Sequence, residues 1–435
     1  MVRTTVAWLT IVLVTLAGPP ITAAADKSLI RVPTDTATLE LAIERAQPGD
    51  LILLDRGTYP GGVIVPENRP GITIRGVDRN AVVFDGDNVR EDAIEILADD
   101  VTLENLSAHD FTGNAFSWDA VEGFAGRHLS VWNVGLYGIY AIESRHGVFE
   151  DSLVSGAADA AFYIGECNPC DTIVRRVIAR YSAIGYSGTN AGGNLEIRDS
   201  VWELNGSGIM PNSYEEQEAP PPQRDSLIAG NTIRGSGTVP VPANSPLAGY
   251  VGIGIAVNGG HDNRIEGNTV EDSDRYGIAL FPALQRNGSS YLANGNRVTG
   301  NTVTGSGAAD LAMAGGMQVP SCFAGNTFET SKPADIERAM PCDGSPTADS
   351  DPAVEADLMI PTPVALDRLG PRPDYTEMPV PDPAPTMPGD PTTVPGLATP
   401  ATGSSWPLPP VAVIVASAAG TVALLVVLRG LRRRS

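Results

Sequence analysis

Positive charge is what this 435-residue chain has least of: 29 Lys and Arg stand against 51 Asp and Glu, a formal net charge of −22 at pH 7. Phosphate binding needs clustered Lys and Arg, so the balance argues against nucleic acid as a partner. A polyanionic substrate would be repelled too, unless a cation bridges it. Histidine is also scarce, with four residues; His109, His128 and His146 fall near expected turns or second strands, without metal-ligand spacing. The four cysteines are Cys167, Cys170, Cys322 and Cys342. In an exported chain an even count points to disulfides, and four allow three connectivities. Local pairing, Cys167 with Cys170 and Cys322 with Cys342, is the one expected. A redox CxxC opens a helix in a βαβ context, which Cys167-Asn168-Pro169-Cys170 lacks.

Long apolar runs are confined to the two ends. Residues 1–25 read as a signal peptide, with Arg3, an apolar stretch from Val6 to Ala17, and a small-residue cleavage site at Ala23-Ala24-Ala25. Residues 411–428 carry no charge, and Arg429, Arg432, Arg433 and Arg434 follow. A transmembrane helix with a cytoplasmic basic tail, 429–435, is therefore expected, which would hold the protein on the extracellular face of the cell membrane. Between them, 343–410 contains 17 of the 36 prolines and reads as a disordered, extended stalk. Within it, Thr399-Pro400-Ala401-Thr402-Gly403 resembles a sortase sorting signal, with Thr399 where that signal has Leu. A retained membrane anchor is the expectation, with cell-wall attachment the alternative. Residues 26–342 remain as one elongated folded domain, expected to be monomeric.

That domain is repetitive. A small residue followed by a large apolar one recurs at Ala93-Ile94, Ala115-Phe116, Gly138-Ile139, Ala161-Phe162, Gly185-Tyr186, Gly208-Ile209, Gly254-Ile255 and Gly277-Ile278. The intervals are 22, 23, 23, 24, 23, 46 and 23 residues, so the 46 is one coil with large insertions or two coils. A second short strand follows each dipeptide, in the C-terminal half as IAGNTI (228–233), IEGNTV (265–270), VTGNTV (298–303) and FAGNTF (323–328). Such coils cannot bury an apolar face alone but bury one continuous core when stacked in parallel, ~4.8 Å per coil. Asn231, Asn268, Asn301 and Asn326 are expected to form stacked turn residues. Ahead of the coils, Leu39, Ala42, Ile43 and Ala46 share one face of a helix started near Asp35 or Thr36 and stopped by Pro48-Gly49.

On these residues the chain, over roughly 30–340, resembles the right-handed parallel β-helix repeat proteins of the pectin-lyase-like class. The resemblance implies an all-β solenoid capped at its N-terminal end by the helix. It carries little about function. The linked motifs of polygalacturonases, the Asp-Pro-His-Asp of alginate epimerases and the Arg-x-Pro-x-x-Arg of pectate lyases are all absent.

With the large apolar residue of each dipeptide pointing inward, alternation sets out the exposed positions. Tyr140 and Tyr163 fall on adjacent coils as an outward aromatic ladder, with Asp119 and Asn212 two positions further along their strands. Glu143, Glu166 and Asn190 fall where the strand bends. Glu143 and Glu166 should be neighbours at about the coil rise. Two carboxylates that close either share a proton or hold a hard cation such as Ca²⁺. Both arrangements suit sugar chemistry, as an acid/base pair or as a metal that neutralises a uronate. Asp119, Glu143 and Glu166 are thus the catalytic candidates, and Tyr140, Tyr163, Asn190, Asn212, Arg224 and His261 the substrate-binding ones. The insertion 213–225 would wall a cleft from about Asp119 to Arg286. No cofactor is required; Ca²⁺ at the glutamate pair is the one option the pattern offers. The expected function is binding, and processing by a lyase, hydrolase or epimerase, of an extracellular polysaccharide or cell-envelope glycan. The alternative is a non-catalytic adhesion or scaffold protein with the solenoid as a rigid spacer.

Overall fold

The computed structural model describes residues 28–215, 219–244, 250–359 and 371–395. They belong to one compact unit that reaches Pro395; the second unit, 396–435, lies outside the described residues. Among the described residues are three parallel sheets of 12, 11 and 10 strands, and within each sheet neighbouring strands come from successive coils. One coil runs from Ile94–Ile96 in the eleven-stranded sheet to Val101–Glu104 in the twelve-stranded sheet, then to Ser107–Phe111 in the ten-stranded sheet. The next coil restarts at Phe116–Asp119, and Phe116 pairs in register with both Ile94 and Ile139. The repeat interval is therefore one turn of a three-sided solenoid. Ile209 pairs directly with Ile255, so the 46-residue interval is a single coil carrying insertions.

Ile94, Phe116, Ile139, Phe162, Tyr186, Ile209, Ile255, Ile278 and Leu311 form one column of fully buried side chains. Each contributes about 1.5–3 kcal/mol by leaving water, which no single coil obtains alone. The helix α1 (Leu39–Arg45) closes the N-terminal end with Leu39, Ala42 and Ile43. Its cap is Thr38, whose hydroxyl accepts from the Leu41 amide, rather than Asp35 or Thr36. At the other end α2 (Ile336–Ala339) supplies Ile336 to the same core.

The turns are paid for by side chains that stack from coil to coil. Asn231 Nδ2 donates to Asn268 Oδ1 at 3.0 Å, Asn268 to Asn301 at 2.9 Å, and Asn301 to Asn326 at 2.9 Å. Asn326 ends the ladder on Glu337 Oε1 of α2, at 2.9 Å. The outer face of the twelve-stranded sheet carries Arg75, Glu104, Arg127, Glu150 and Arg175 in successive register, an alternation of charge that favours one coil alignment over its shifts.

Two expectations about the ends are corrected. No helix of the described residues is long and apolar enough to cross a membrane, and 411–428 itself lies outside them, as do 1–27 with the signal peptide. The single-pass topology, the membrane as a partner, and the surface location that rested on it are accordingly withdrawn. The Thr399–Gly403 pentapeptide and the basic tail also lie outside the described residues. The proline-rich segment differs from a free stalk in two stretches. The helix α3 (Pro352–Leu358) buries Val354 and Leu358 in one apolar cluster with Met210, Ala256, Ala279 and Phe281 of the outer face of the eleven-stranded sheet. Residues 371–395 lie back along the solenoid as a strap. Asn133 donates to Thr376 O, Ser155 to Pro379 O, Asn80 to Ala384 O, Arg79 to Pro385 O, and Arg75 to Pro391 O and Thr393 O. A proline-rich chain has no periodic apolar face, but its carbonyls are free, and a preformed surface of donors is sufficient to hold it.

Candidate functional site

The outward column of the eleven-stranded sheet begins Ile64, Glu95, Ser117, Tyr140, Tyr163, Ser187, each in register with the next. Tyr140 and Tyr163 are stacked, with ring centroids 4.9 Å apart and an interplanar angle of 21°. Tyr137, from the turn just before this strand, joins them at 4.7 Å from Tyr140 and 5.0 Å from Tyr163. Tyr163 is buried, 5% exposed, whereas Tyr140 and Tyr137 are half-buried. Tyr163 therefore backs the stack, and Tyr137 and Tyr140 are its two partly accessible rings. Gly165 makes this possible: a Cβ there would meet the Tyr163 hydroxyl and ring at 2.1–2.2 Å. Burial pushes all three phenols well above their usual range, so they remain neutral donors.

Carboxylates surround the stack. Burial raises the pKa of Asp119. Glu95 is raised by burial and then by the neighbouring charges of Asp92, Asp119 and Glu91. Asp92 is raised by burial against the opposing pull of its hydrogen bond from the Asn114 amide. The charges of Asp119, Glu166 and Asp159 all bear on the Tyr140 ring, and Asp159 also hydrogen-bonds Tyr137. The face thus combines one half-buried aromatic platform with carboxyls that share a negative field.

Of the residues singled out in the sequence, Asp119, Tyr140, Tyr163 and Glu166 gather here. Glu143 and Glu166 occupy the same left-handed turn position on adjacent coils, with φ of 51° and 56°. Glu143 faces solvent whereas Glu166 is buried, 6% exposed, so the two sit in unlike surroundings. Asn190 is occupied by the insertion: its amide donates to Tyr214 O and Ala219 O, and its oxygen accepts from the Tyr214 amide. Asn212 is buried between Thr189 and Ser187. Arg224 donates to the carbonyls of Pro222 and Pro220, serving the insertion's own backbone. At the start of the ninth strand of the twelve-stranded sheet its backbone bridges to His261, several coils from Tyr140. Burial holds the His261 ring below its usual pKa. Nor does the expected cleft continue open to Arg286, because Met210, Ala256, Ala279 and Phe281 are buried in one apolar cluster with Tyr250, Val354 and Leu358. Cys167 is bonded to Cys170 beside Glu166, and Cys322 to Cys342.

Tyr137 and Glu95 were passed over because alternation counts only within strands and ranks no position above another. Their signal was spacing, since Tyr137 precedes Tyr140 by one turn-and-strand step. A second cluster lies on the ten-stranded sheet. Asp85, His109 and Asp110 bring one ligand atom each within 4.8 Å of one another, a donor set able to coordinate a divalent cation such as Ca²⁺. Its His109 ring stacks on Trp132 at 4.6 Å.

Solved structures similar to this chain include the A-module of the mannuronan C-5 epimerase AlgE6 of Azotobacter vinelandii. It is 15% identical, with 67% of this chain and 91% of that chain covered, at a TM-score of 0.45. An alginate lyase from Paenibacillus sp. is 15% identical over 71% of this chain and 96% of that one, at 0.46. A rhamnogalacturonan lyase is 12% identical over 65% and 83%, at 0.47. No curated protein matches the sequence. Residues 114–332, half of the chain, match the family described as the right handed beta helix region, and the chain belongs to that family.

Proposed function

We propose that this protein binds a polysaccharide across the outer face of the eleven-stranded sheet, at the coils that carry Glu95, Asp119, Tyr140 and Glu166. The observation that carries the reading is the Tyr137–Tyr140–Tyr163 stack, a rigid aromatic platform bordered by hydrogen-bonding carboxyls. A sugar ring lays its apolar C–H face on an aromatic ring and turns its hydroxyls to the polar rim, which is the chemistry this face offers. Retention of soluble polysaccharides by the purified protein tests it. Tyr140→Ala should abolish retention while leaving the thermal unfolding midpoint near that of the parent. Equal retention by Tyr140→Ala, or none by the parent, would favour a spacer role for the solenoid.

A second reading, glycoside cleavage, is supported by one further observation: Glu95 and Asp119 are both raised in pKa, and Glu95 partly by Asp119 itself. Two neighbouring carboxyls whose surroundings shift their pKa values are the kind of pair a glycosidase uses as acid and base. New reducing ends that disappear in Asp119→Asn but not in Glu143→Gln would support it. Turnover lost in Glu143→Gln would instead return the chemistry to the turn glutamates.

A further inference from the structure

We propose that Asp85, His109 and Asp110 bind a divalent transition-metal ion, Zn²⁺ in preference to Ca²⁺, and that the ion ties two successive coils together. The inference is independent of the Tyr140 face, which belongs to a different sheet.

Asp85 ends the strand Val82–Asp85 and pairs in register with His109 of Ser107–Phe111, the neighbouring strand of the ten-stranded sheet. In register, the two side chains leave the sheet on the same side. Asp110 follows His109 and would point to the opposite face in a regular strand. Its left-handed backbone, with φ of 57°, turns the carboxylate back to the imidazole. His109 Nδ1 lies 2.9 Å from Asp110 Oδ2 and 3.9 Å from Asp85 Oδ1, and one donor atom from each residue falls within 4.8 Å of the others. An ion with bonds of ~2.0–2.2 Å to nitrogen and oxygen fits among three such atoms after small side-chain rotations. The carboxylates are partly exposed and have room to make them, which leaves the outer positions of the ion to water. Asp85 and His109 are one coil apart in the chain, so no short ligand spacing marks the site in sequence.

The imidazole selects the metal. Ca²⁺ takes about six to eight oxygen ligands. A ring nitrogen with two carboxylate oxygens is instead a donor set of Zn²⁺ and its transition-metal neighbours. The His109 ring is held against Trp132, with centroids 4.6 Å apart and planes 15° from parallel, so its Nδ1 edge stays directed at the carboxylates. The Asp87 amide donates to Asp85 Oδ1 at 2.9 Å and fixes that carboxylate without neutralising it. Among the described residues, no arginine or lysine forms an ion pair with Asp85 or Asp110; the partner of both is His109. Further along the same outward column, Glu203 is met by Arg180 at 2.7 Å and Arg234 at 3.8 Å. Where the solenoid pairs that carboxylate with arginine, it here brings two carboxylates onto an imidazole lone pair, and a divalent cation matches both their charge and their geometry.

The test is calorimetric titration of the full chain, treated with a chelator and dialysed, with zinc chloride and with calcium chloride near neutral pH. One Zn²⁺ per chain should bind with a dissociation constant of about 10 μM or tighter, and Ca²⁺ at least about a hundredfold more weakly. The unfolding midpoint should rise with Zn²⁺ concentration, because an ion held only by the folded coils stabilises them by mass action. His109→Gln and Asp85→Asn should each weaken Zn²⁺ binding by at least about tenfold, with metal-free unfolding midpoints close to that of the parent. Should either variant unfold early, Asp110→Asn replaces it, since asparagine tolerates the same left-handed backbone, and the same loss is expected. His146→Gln should leave Zn²⁺ binding unchanged, although that exposed ring also meets two carboxylates, Glu122 and Asp171. Ca²⁺ binding as tight as Zn²⁺ overturns the choice of metal. Zn²⁺ binding that survives His109→Gln, or that disappears in His146→Gln, puts the ion elsewhere and overturns the site. The absence of saturable Zn²⁺ binding overturns it as well.

Discussion

Gly165 shows how much of the candidate site depends on an atom that is missing. The Tyr163 ring lies across it, and any Cβ would fall within 2.2 Å of that ring. Gly165→Ala should therefore displace Tyr163, loosen Tyr140 and weaken sugar retention by about tenfold, at a stability cost of about 1–2 kcal/mol. Paired retention and thermal-unfolding measurements would separate the two effects. Glu150 is the opposite case, a nearly buried carboxylate, 8% exposed, met by three arginines. Burial pushes its pKa up, but hydrogen bonds from Arg127 and Arg175 outweigh this and hold it below the usual value. Its contribution is thus present above the unfolded carboxyl pKa and is lost as pH falls through the lower, folded one. Glu150→Ala should cost about 3 kcal/mol at neutral pH in denaturant unfolding. The gap from the parent should close in strong acid; a gap that stays constant with pH would mean that packing, not charge, is what the substitution removes. Glu95 and Asp119 carry the reverse sign: with raised folded pKa values, they favour the fold when protonated and oppose it as pH rises through those values.

At the scale of elements, the coil was the part most legible in sequence. Burial of one large residue per coil repeats with the solenoid, so Ile94, Phe116 and Ile139 announce the strand and its register together. The turn asparagines were legible for the same reason, since a residue that bonds its counterpart one coil away must recur with the coil. Asn268 is 1% exposed, accepts from Asn231, and donates to Asn301 Oδ1 and Ile228 O. Asn268→Ala should strand several buried groups and cost about 3 kcal/mol in denaturant unfolding; Asn326, at the frayed end on Glu337, should cost less. Equal costs at the two positions would mean that the ladder is not cooperative. The candidate site was legible only in part. Alternation placed Asp119, Tyr140 and Tyr163 on one outer face, yet nothing in a repeat marks that Asn190 would be spent on the insertion it anchors. Nor does it show that Met210 and Phe281, equally outward, would be buried in one cluster with Val354 and Leu358 of α3.

At the scale of the whole molecule, the least legible feature was the strap. Proline content alone suggests an extended chain, but whether that chain stays free depends on donors contributed from the distant positions 75, 79, 80, 133 and 155. Met378 packs against Gly156, where a Cβ would approach its side chain to 2.6 Å. Met378→Asp should release the strap, making 371–395 a site of rapid proteolysis and loosening the N-terminal coils by about 1–3 kcal/mol. Unchanged resistance to protease would show that the Arg75 and Arg79 contacts hold the segment without it. The same solenoid that carries the strap on one side holds the half-buried Tyr140 on another, and on that face the functional account rests. Its most direct test is calorimetric titration of the parent chain and Tyr140→Ala with a panel of neutral and charged oligosaccharides. The account predicts saturable binding by the parent and none by the variant, with both unfolding at nearly the same temperature. Binding by neither, or equally by both, would contradict it.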